Sequence, residues 1–413
     1  MMHAFFRLGA LALSLLAGGC ASAPAIAPAT SVILVSVDGL RPVDVNAAQM
    51  PNLDALGNAN VRADGMQPSY PALTFPNHYA LVTGLRPDHS GIVHNMMADE
   101  TLGHFRTNNR RGMDQPGWWN GVPVWASAVR AGQPAAVLYW PGNQVEVAGR
   151  RTWQWRAYQK NTRANDSIRQ VLQWLDAAPA LRPRFIAVYL DQVDEASHTH
   201  GPGSAQAASA RHDVDAALGD LVAGLRQRGR LDAVNLVVVS DHGFDTVPPG
   251  QLLPTEAMAP ADVATVVSDG QVVEFTPRPG KTAEAEQHLL GRHEHFACWR
   301  KQALPAHWHY GSNPRIPSIV CQMDAGWDAL EPRKYALRQQ GPATTRGSHG
   351  FDPALPSMRA TFIAAGPAFV QGVRLPVFDN VDVYPLLMRL LQLPPEPNDG
   401  DIAPLLPALR VRP

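Results

Sequence analysis

The sequence predicts an α/β fold in which helices cover both faces of a mainly parallel central sheet. Five short runs rich in β-branched residues are almost continuously apolar rather than alternating, as expected of strands buried on both faces. These runs lie at residues 31–40, 135–143, 185–194, 234–244 and 360–369. Helical patterns separate them, for example at residues 165–178 and 209–229, and such alternation of strand and helix is typical of parallel sheets.

Length and composition are those of a globular protein. The chain has 413 residues, 45% of them hydrophobic and 17% charged, which suffices for one large domain or two ordinary ones. The formal net charge is -1, so no general attraction to nucleic acid or to anionic membranes is expected. We therefore expect a small-molecule ligand bound at a local site, with no specific nucleic-acid binding and no obligate protein partner.

The N-terminal segment predicts export. Residues 1–20 combine Arg7, a short apolar run and small residues, which is the pattern of a signal peptide too short to span a bilayer. The stretch LLAGGC resembles a bacterial lipoprotein cleavage site, with Cys20 as the lipidated residue. Its leucine lies one position further from the cysteine than usual, and simple cleavage is the alternative. We expect a periplasmic protein, anchored to a membrane if Cys20 is lipidated, with residues 21–30 as a linker.

Residues 247–346 interrupt the alternation and predict an inserted subdomain. They combine Pro-rich stretches with strand-like and helix-like runs, so we assign the catalytic core to residues 31–246 and 347–408. Besides Cys20, the chain has two cysteines, Cys298 and Cys321, and both lie in this insertion. Because an exported protein meets an oxidising compartment, we expect them to form a disulfide, with two buried thiols as the alternative.

Chemically active side chains follow three of the predicted strands. Parallel strands present their carboxyl ends at one edge of a sheet, where ligands bind, so these side chains should gather there. They are Asp38 after the first run, Asp191, Asp194 and His198 after the third, Asp241 and His242 after the fourth, and His349 in the glycine-flanked loop RGSHGFDP. Crowded carboxylates repel one another unless a cation holds them, and aspartate with histidine suits zinc or a similar divalent ion.

Each of these motifs alone is more often a turn or a helix cap, and only their combination predicts a metal site. Asp191 is the ambiguous member, because it either orients a ligand or caps a turn. We do not assign His78, His94 or His200 as ligands, since lone histidines beside a motif are more often structural.

Six motifs occur in a specific order: VDGLRP, TFPNH, GIVHN, DxxxH, SDHG and GSHGFDP. In this order they resemble the nucleotide pyrophosphatase/phosphodiesterase family of the alkaline phosphatase superfamily. The similarity runs from about residue 31 to about residue 390 and includes HWHYGSNPRIP and DVYPLLMRLLQLPP. The resemblance implies an alkaline-phosphatase-like core and a hydrolase that cleaves nucleotide phosphodiester or pyrophosphate bonds, giving a nucleoside monophosphate.

The resemblance also implies two zinc ions and a threonine nucleophile. One zinc would be held by Asp38, Thr74, Asp241 and His242, and the other by Asp194, His198 and His349. Threonine is a poor nucleophile at its ordinary pKa, but a bound metal lowers that pKa, so that Thr74 can attack phosphorus and form a phospho-threonine intermediate. Asn95, in GIVHN, matches the family residue that hydrogen-bonds a phosphate oxygen, and the backbone N–H of Phe75 is a second candidate donor.

Two aromatic residues bear on the substrate. Phe75 and Tyr189 resemble positions at which nucleotide-cleaving relatives sandwich a base, and stacking on an aromatic face accepts any base. The alternative is that both are ordinary core or rim aromatics.

Three other functions remain open. A phosphomonoesterase would need extra cations near the phosphate, yet the lysines lie outside the ligand motifs and sequence does not place the arginines; those lysines are Lys160, Lys281, Lys301 and Lys334. A lysophospholipid or choline-ester phosphodiesterase would replace base stacking by an aromatic cage. A catalytically inactive, metal-binding lipoprotein is disfavoured, because a structural metal site has no need of Thr74.

Overall fold

The computed structural model describes residues 1, 30–107, 109–149 and 151–410. The predicted signal peptide with Cys20, and nearly all of the predicted linker, lie outside the described residues. No helix among the described residues combines the length and the apolar character needed to cross a bilayer.

The described residues form eleven α-helices and twenty-one strands. The helices are α1 (Pro51–Ala59), α2 (Thr74–Thr83), α3 (Pro87–Ser90), α4 (Arg110–Met113), α5 (Val124–Arg130), α6 (Ala164–Leu175), α7 (Gln192–His200), α8 (Ala205–Gln227), α9 (Thr282–Leu289), α10 (Pro332–Gln340) and α11 (Val383–Leu391). The strands are β1 (Ser31–Val37), β2 (Val61–Ala63), β3 (Met66–Gln67), β4 (Met96–Asp99), β5 (Gly103–Arg106), β6 (Ala135–Leu138), β7 (Gln154–Arg156), β8 (Phe185–Leu190), β9 (Val234–Val239), β10 (Asp245–Val247), β11 (Leu252–Pro254), β12 (Ala264–Ser268), β13 (Val272–Pro277), β14 (Gly291–Arg292), β15 (Phe296–Arg300), β16 (Ile319–Met323), β17 (Asp328–Leu330), β18 (Arg346–Ser348), β19 (Phe362–Ala365), β20 (Val373–Leu375) and β21 (Phe378–Asp379).

Short 3₁₀ helices connect these elements within the described residues. They are Pro42–Asp44, Pro116–Trp118, Leu231–Ala233, Thr255–Ala257, Lys301–Ala303, Ala306–Trp308, Pro356–Met358, Asn380–Asp382 and Ala403–Ala408.

An eight-stranded sheet forms the centre of the fold, in the order β20-β2-β19-β9-β1-β8-β6-β7. All five runs predicted from the sequence lie in this sheet, as β1, β6, β8, β9 and β19. The pairs around β1 are parallel and β19 alone runs antiparallel to both of its neighbours. The prediction of a mainly parallel sheet is confirmed. The direction of β19 could not be predicted, since burial on both faces gives the same apolar run in either direction.

Helices cover both faces of this sheet, as predicted. Alternate residues of β1 point to opposite sides, because side chains alternate along a strand. Val32 and Leu34 belong to a core that includes α2, α5 and α11. Ile33 and Val35 belong to a second core that includes α1, α6 and α8. Helix α8 begins at a Ser204 cap, whose hydroxyl accepts a hydrogen bond from the Ala207 N–H at 3.1 Å.

Residues 247–346 contain a separate five-stranded sheet, in the order β12-β13-β16-β15-β14. Its pairs are antiparallel, and β10 pairs with β18 where the segment leaves and rejoins the core. The predicted disulfide is confirmed, as Cys298 of β15 is bonded to Cys321 of β16. The exact division into a core and an inserted subdomain remains our proposal.

Candidate active site

The carboxyl ends of three adjacent strands converge on one site. The sheet order places β1 between β9 and β8. Asp38 directly follows β1, helix α7 follows β8, and the Asp241–His242 pair follows β9. The other two contributors come from outside these strands: Thr74 is the first residue of α2, and His349 directly follows β18. The seven predicted ligands are therefore brought together.

Two glycines fix the loops that follow β1 and β9. Gly39 has φ +68°, and its N–H donates to Asp241 Oδ1 at 3.2 Å. A Cβ at this position would lie 2.5 Å from the ring of Phe244, so both conformation and space call for glycine. At Gly243 the reason is close backbone approach, since a Cβ would lie 2.1 Å from the Ser357 carbonyl oxygen.

Asp38, Asp241 and His242 form the first group of polar atoms around Thr74. His242 Nε2 lies 2.9 Å from Asp241 Oδ2 and 3.4 Å from Asp38 Oδ1. The same nitrogen lies 3.4 Å from Thr74 Oγ1. His242 Nε2 thus lies within reach of both carboxylates and of the hydroxyl at the amino end of α2, where the helix dipole favours negative charge on oxygen.

Asp194, His198 and His349 form the second group. Asp194 Oδ1 lies 3.4 Å from His198 Nε2 and 3.6 Å from His349 Nε2. The two Nε2 atoms are 3.1 Å apart. The four-residue spacing of Asp194 and His198 places both on one face of α7, as predicted.

The imidazole partners indicate which nitrogen carries the proton. In His198, His242 and His349 the Nδ1 atom lies 2.9 to 3.1 Å from a backbone carbonyl oxygen. A carbonyl accepts hydrogen bonds only, so each Nδ1 carries the proton and each Nε2 presents a lone pair. This is the orientation usual in metal-binding histidines.

The carboxylates supply matching acceptors without donors. Asp38 Oδ1, Asp194 Oδ1 and Asp241 Oδ2 are buried, and no hydrogen bond from the described residues reaches them. Lone pairs of buried oxygens and nitrogens therefore face one another, which is unfavourable unless a cation lies between them. These residues fit divalent metal ions, and aspartate with histidine matches zinc.

The same burial and crowding shift the pKa values of these groups. Burial, together with the neighbouring carboxylates, raises the pKa of Asp38 and of Asp194 well above the usual range. Burial lowers the pKa of His198 to about 4. It also lowers the pKa of His349, so that both rings are neutral, as metal ligands must be.

The three histidines not assigned as ligands occupy structural or exposed positions. His78 is buried with both nitrogens engaged: Nε2 lies 2.8 Å from Ser36 Oγ, and Nδ1 lies 2.9 Å from the Thr74 carbonyl oxygen. The same Nδ1 is 3.3 Å from Asp241 Oδ2, so His78 connects the first turn of α2 to Asp241. His94 accepts a hydrogen bond from the Met96 N–H, and His200 is exposed.

Asn95 is oriented by the start of α2. Its Oδ1 accepts a hydrogen bond from the backbone N–H of Phe75 at 3.0 Å. This leaves the N–H groups of the Asn95 amide to donate to a ligand, as its predicted role requires. In this structure the Phe75 N–H, the second candidate donor to a phosphate oxygen, donates to Asn95, and its role toward phosphate stays a prediction.

A cavity of about 590 Å³ opens over the two ligand groups. Phe75 lines it and packs edge-on against Phe105, with ring centroids 5.6 Å apart. Tyr189 also lines it, but its hydroxyl donates to Asp38 Oδ2 at 2.6 Å. That bond makes Tyr189 a residue that orients a predicted ligand.

Sequence reasoning missed Tyr158. This residue lines the cavity, is 39% exposed, and donates to Asp191 Oδ2 at 2.5 Å. Its ring centroid lies 6.0 Å from that of Tyr189. An aromatic in the polar stretch RAYQKNTR gives only a weak signal, because nothing in its periodicity separates a cavity wall from an ordinary surface tyrosine.

Comparison with known proteins supplies a family. Residues 32–352 match the family model described as Type I phosphodiesterase / nucleotide pyrophosphatase. Ectonucleotide pyrophosphatase/phosphodiesterase family member 3 of Bos taurus is 33% identical over 393 residues, covering 92% of this chain and 44% of that protein. Venom phosphodiesterase CdcPDE of Crotalus durissus collilineatus is 32% identical over 407 residues, covering 92% of this chain and 47% of that protein. The chain thus spans less than half the length of these curated relatives.

Solved structures show the same fold. Murine ectonucleotide pyrophosphatase/phosphodiesterase 5 superposes with a TM-score of 0.86 at 28% identity, covering 92% of this chain and 100% of that one. An inactive threonine-to-alanine form of the murine protein, in complex with AMP, superposes with a TM-score of 0.85 at 28% identity and the same coverage. The predicted alkaline-phosphatase-like fold is confirmed.

Proposed function

Because the chain belongs to the type I phosphodiesterase/nucleotide pyrophosphatase family, we propose that it hydrolyses phosphodiester or pyrophosphate bonds of nucleotides and releases a nucleoside monophosphate. One observation carries the proposal: the Thr74 hydroxyl lies 3.4 Å from His242 Nε2 and shares a cavity with side chains of both ligand groups, three of whose carboxylate oxygens are buried without a donor among the described residues. A purely structural metal site has no need of a threonine hydroxyl beside its ligands at a helix terminus.

Two zinc ions are the proposed cofactors. The first would be held by Asp38, Thr74, Asp241 and His242, and the second by Asp194, His198 and His349. When bound, they would lower the pKa of the Thr74 hydroxyl and offset the negative charge of the phosphoryl group and of the leaving oxygen. The unsatisfied carboxylate oxygens support this assignment.

The chain's own residues would then carry out a two-step displacement. Thr74 Oγ1 gives up its proton and attacks phosphorus while the bond to the leaving oxygen breaks, which gives a phospho-threonine ester. The leaving alkoxide takes up a proton from water, whereas a leaving phosphate departs as the anion. Water hydrolyses this ester and restores the hydroxyl. The Asn95 amide donates to a nonbridging phosphate oxygen, a contact that strengthens as charge develops in the transition state. The inactive threonine-to-alanine form of the murine relative, with its AMP, agrees with this assignment of Thr74.

Aromatic walls would accommodate the base. We assign the predicted slot to Phe75 and Tyr189, and we add Tyr158 as the exposed ring of the same cavity. Both tyrosine hydroxyls are hydrogen-bonded to an aspartate, but Tyr158 is exposed whereas Tyr189 is partly buried. Tyr158 is therefore the better placed of the two for stacking on a ligand that enters from solvent.

The charge of the cavity favours a diester over a monoester. Among the described residues that line the cavity, Lys160 is the only lysine or arginine, and it is paired with Glu195 at 2.8 Å. A monoester dianion carries one more negative charge than a diester, and the side-chain cation that could receive it is already paired with Glu195.

A choline-ester phosphodiesterase is the second candidate. Its supporting observation is that Trp155 and Tyr158 line the same cavity as Phe75, and several aromatic faces can enclose a quaternary ammonium group. Hydrolysis of a nitrophenyl phosphocholine faster than of a nitrophenyl nucleotide would favour this alternative.

We further propose that the protein is exported to the periplasm, and is held at a membrane if Cys20 is lipidated. The direct test of the proposed function is product analysis. The zinc-loaded chain should convert a nucleotide pyrophosphate into nucleoside monophosphate, and Thr74→Ala should not. Metal binding without hydrolysis of any phosphate ester would instead indicate a catalytically inactive protein.

A further inference from the structure

The HWHYGSNPRIP segment, residues 307–317, packs against the loop that carries Asn95. Arg315 donates to the Gly91 carbonyl oxygen at 2.8 Å and pairs with Asp99 at 3.0 Å. Asp88, on the other side, accepts from the backbone N–H of Ser312 at 2.8 Å. Polar contacts therefore hold the segment to the chain both before and after Asn95.

Tyr310 provides the contact nearest to Asn95. Its hydroxyl oxygen lies 3.1 Å from the Val93 carbonyl oxygen and 2.8 Å from Glu274 Oε1. Val93 precedes Asn95 by two residues, and the intervening His94 is buried. Fixing the Val93 carbonyl therefore limits how far the Asn95 backbone can shift.

The number of protons available at this contact indicates the protonation state of Glu274. A tyrosine hydroxyl has one proton, yet Tyr310 faces two oxygens that both accept when Glu274 is ionised. If Glu274 is neutral, its O–H donates to Tyr310, and the Tyr310 O–H donates to Val93. Ser268 Oγ donates to the other carboxyl oxygen at 3.1 Å. Only the neutral carboxyl gives every group in this chain a complementary partner.

We propose that Tyr310 is a positioning residue for Asn95: supported by the neutral carboxyl of Glu274, its hydroxyl holds the Val93 carbonyl and so keeps the Asn95 amide aimed at the substrate phosphate. This inference rests on the proposed function. It gives the HWHYGSNPRIP segment, which contributes no metal ligand, a part in catalysis. It also makes that part sensitive to pH, because an ionised Glu274 would take the Tyr310 proton away from Val93.

The surroundings of Glu274 agree with the neutral form. It is fully buried, and burial raises its pKa to about 7 against the opposing effects of Tyr310, Ser268 and Lys301. The titratable and charged groups that face it are Tyr310, Tyr70 and Lys301, with Asp88 facing Tyr310 and Asp352 facing Tyr70 from neighbouring elements. Burial raises the pKa of Tyr310 well above its ordinary value, so the phenol keeps its proton.

A double-mutant cycle on the full-length, zinc-loaded chain tests the proposal. Tyr310→Phe should lower kcat for p-nitrophenyl TMP about tenfold with little change in KM. In an Asn95→Ala background the same substitution should have almost no effect. Tyr70→Phe is the matched control, because Tyr70 lies in the same aromatic cluster and its buried hydroxyl makes no hydrogen bond among the described residues.

The outcomes separate this proposal from the proposed function. An equal loss from Tyr310→Phe in both backgrounds, or no loss in either, would overturn the positioning role. An Asn95→Ala variant with full activity would likewise overturn it, because Tyr310 would then have no catalytic residue to position. A wild-type chain that does not hydrolyse the diester would instead overturn the proposed function.

A second variant tests the proton count without removing the tyrosine. Glu274→Gln keeps a neutral donor for Tyr310 at every pH. The ratio of its kcat to that of the wild type should rise severalfold between about pH 6 and about pH 8. That rise should disappear in the Asn95→Ala background. A ratio independent of pH would contradict the role of the neutral carboxyl.

Discussion

The Nε2 atoms of His198 and His349 lie 3.1 Å apart, although the Nδ1 atom of each ring is held by a backbone carbonyl. Two lone pairs at this distance repel one another, and Asp194 Oδ1 beside them adds a third acceptor without a donor. Folding therefore brings these lone pairs together at a cost in free energy that a bound cation would offset. Both rings are already in the tautomer that binds metal.

Metal content should follow from this arrangement. We expect about two zinc ions per chain, and about one after His349→Ala, because that substitution leaves the second group with too few ligands. Elemental analysis after dialysis measures the stoichiometry. His200→Ala is the control, since His200 lies on the same helix as His198 but is exposed. Unchanged zinc in His349→Ala would remove His349 from the ligand set.

Thr74→Ala should abolish turnover while preserving the fold. Loss of the nucleophile should lower kcat by about a thousandfold or more, whereas the circular dichroism spectrum should not change. Acid quenching of the wild type during turnover should trap a phosphate ester on the peptide that contains Thr74, as seen by mass spectrometry. Residual activity near the wild-type level in Thr74→Ala would exclude Thr74 as the nucleophile.

Phe75 and Tyr158, two aromatic walls of the cavity, should contribute to the hydrolysis of nucleotide substrates only. Phe75→Ala and Tyr158→Ala should each lower kcat/KM for p-nitrophenyl TMP about tenfold, the size expected for loss of one stacking partner. Neither should change kcat/KM for bis-p-nitrophenyl phosphate by more than about twofold. Equal losses on both substrates would mean that these rings support the fold rather than the base.

Glu274 should make the stability of the chain depend on pH. Its pKa is raised by burial from 4.5 to about 7 in the folded state, so the folded state favours the protonated form. The contribution is fully present below about pH 4.5 and is lost as pH rises to about 7, amounting to about 3 kcal/mol. Over this pH range the free energy of unfolding of Glu274→Gln should therefore increase relative to that of the wild type, as measured by urea denaturation. A constant difference between the two proteins would contradict a buried, neutral Glu274.

Much of the candidate site could be predicted from the sequence because its candidate ligands follow recognisable strands. Parallel strands end at one sheet edge, so Asp38, Asp194 and Asp241 had to converge once β1, β8 and β9 were identified from their apolar runs. The order of the motifs then added Thr74 and Asn95, which no periodicity would have placed near a metal site.

The remainder depends on contacts that sequence patterns do not encode. The helical patterns at residues 165–178 and 209–229 agree with α6 and α8 to within a few residues. The antiparallel direction of β19, in contrast, leaves no trace in its composition. The engagement of the Phe75 N–H by Asn95, and the cavity position of Tyr158, depend on how loops distant in sequence meet. The same is true of Glu274. A glutamate in a strand is expected to be exposed, and only its contact with Tyr310 in the folded chain explains why this one is buried.

The measurement that tests the central claim most directly compares three substrates on the zinc-loaded chain: p-nitrophenyl TMP, bis-p-nitrophenyl phosphate and p-nitrophenyl phosphate. A nucleotide phosphodiesterase should show the highest kcat/KM with the first, and should prefer it to the monoester by about a hundredfold or more. A higher kcat/KM for p-nitrophenyl phosphate would contradict the account and assign the site to a phosphomonoesterase.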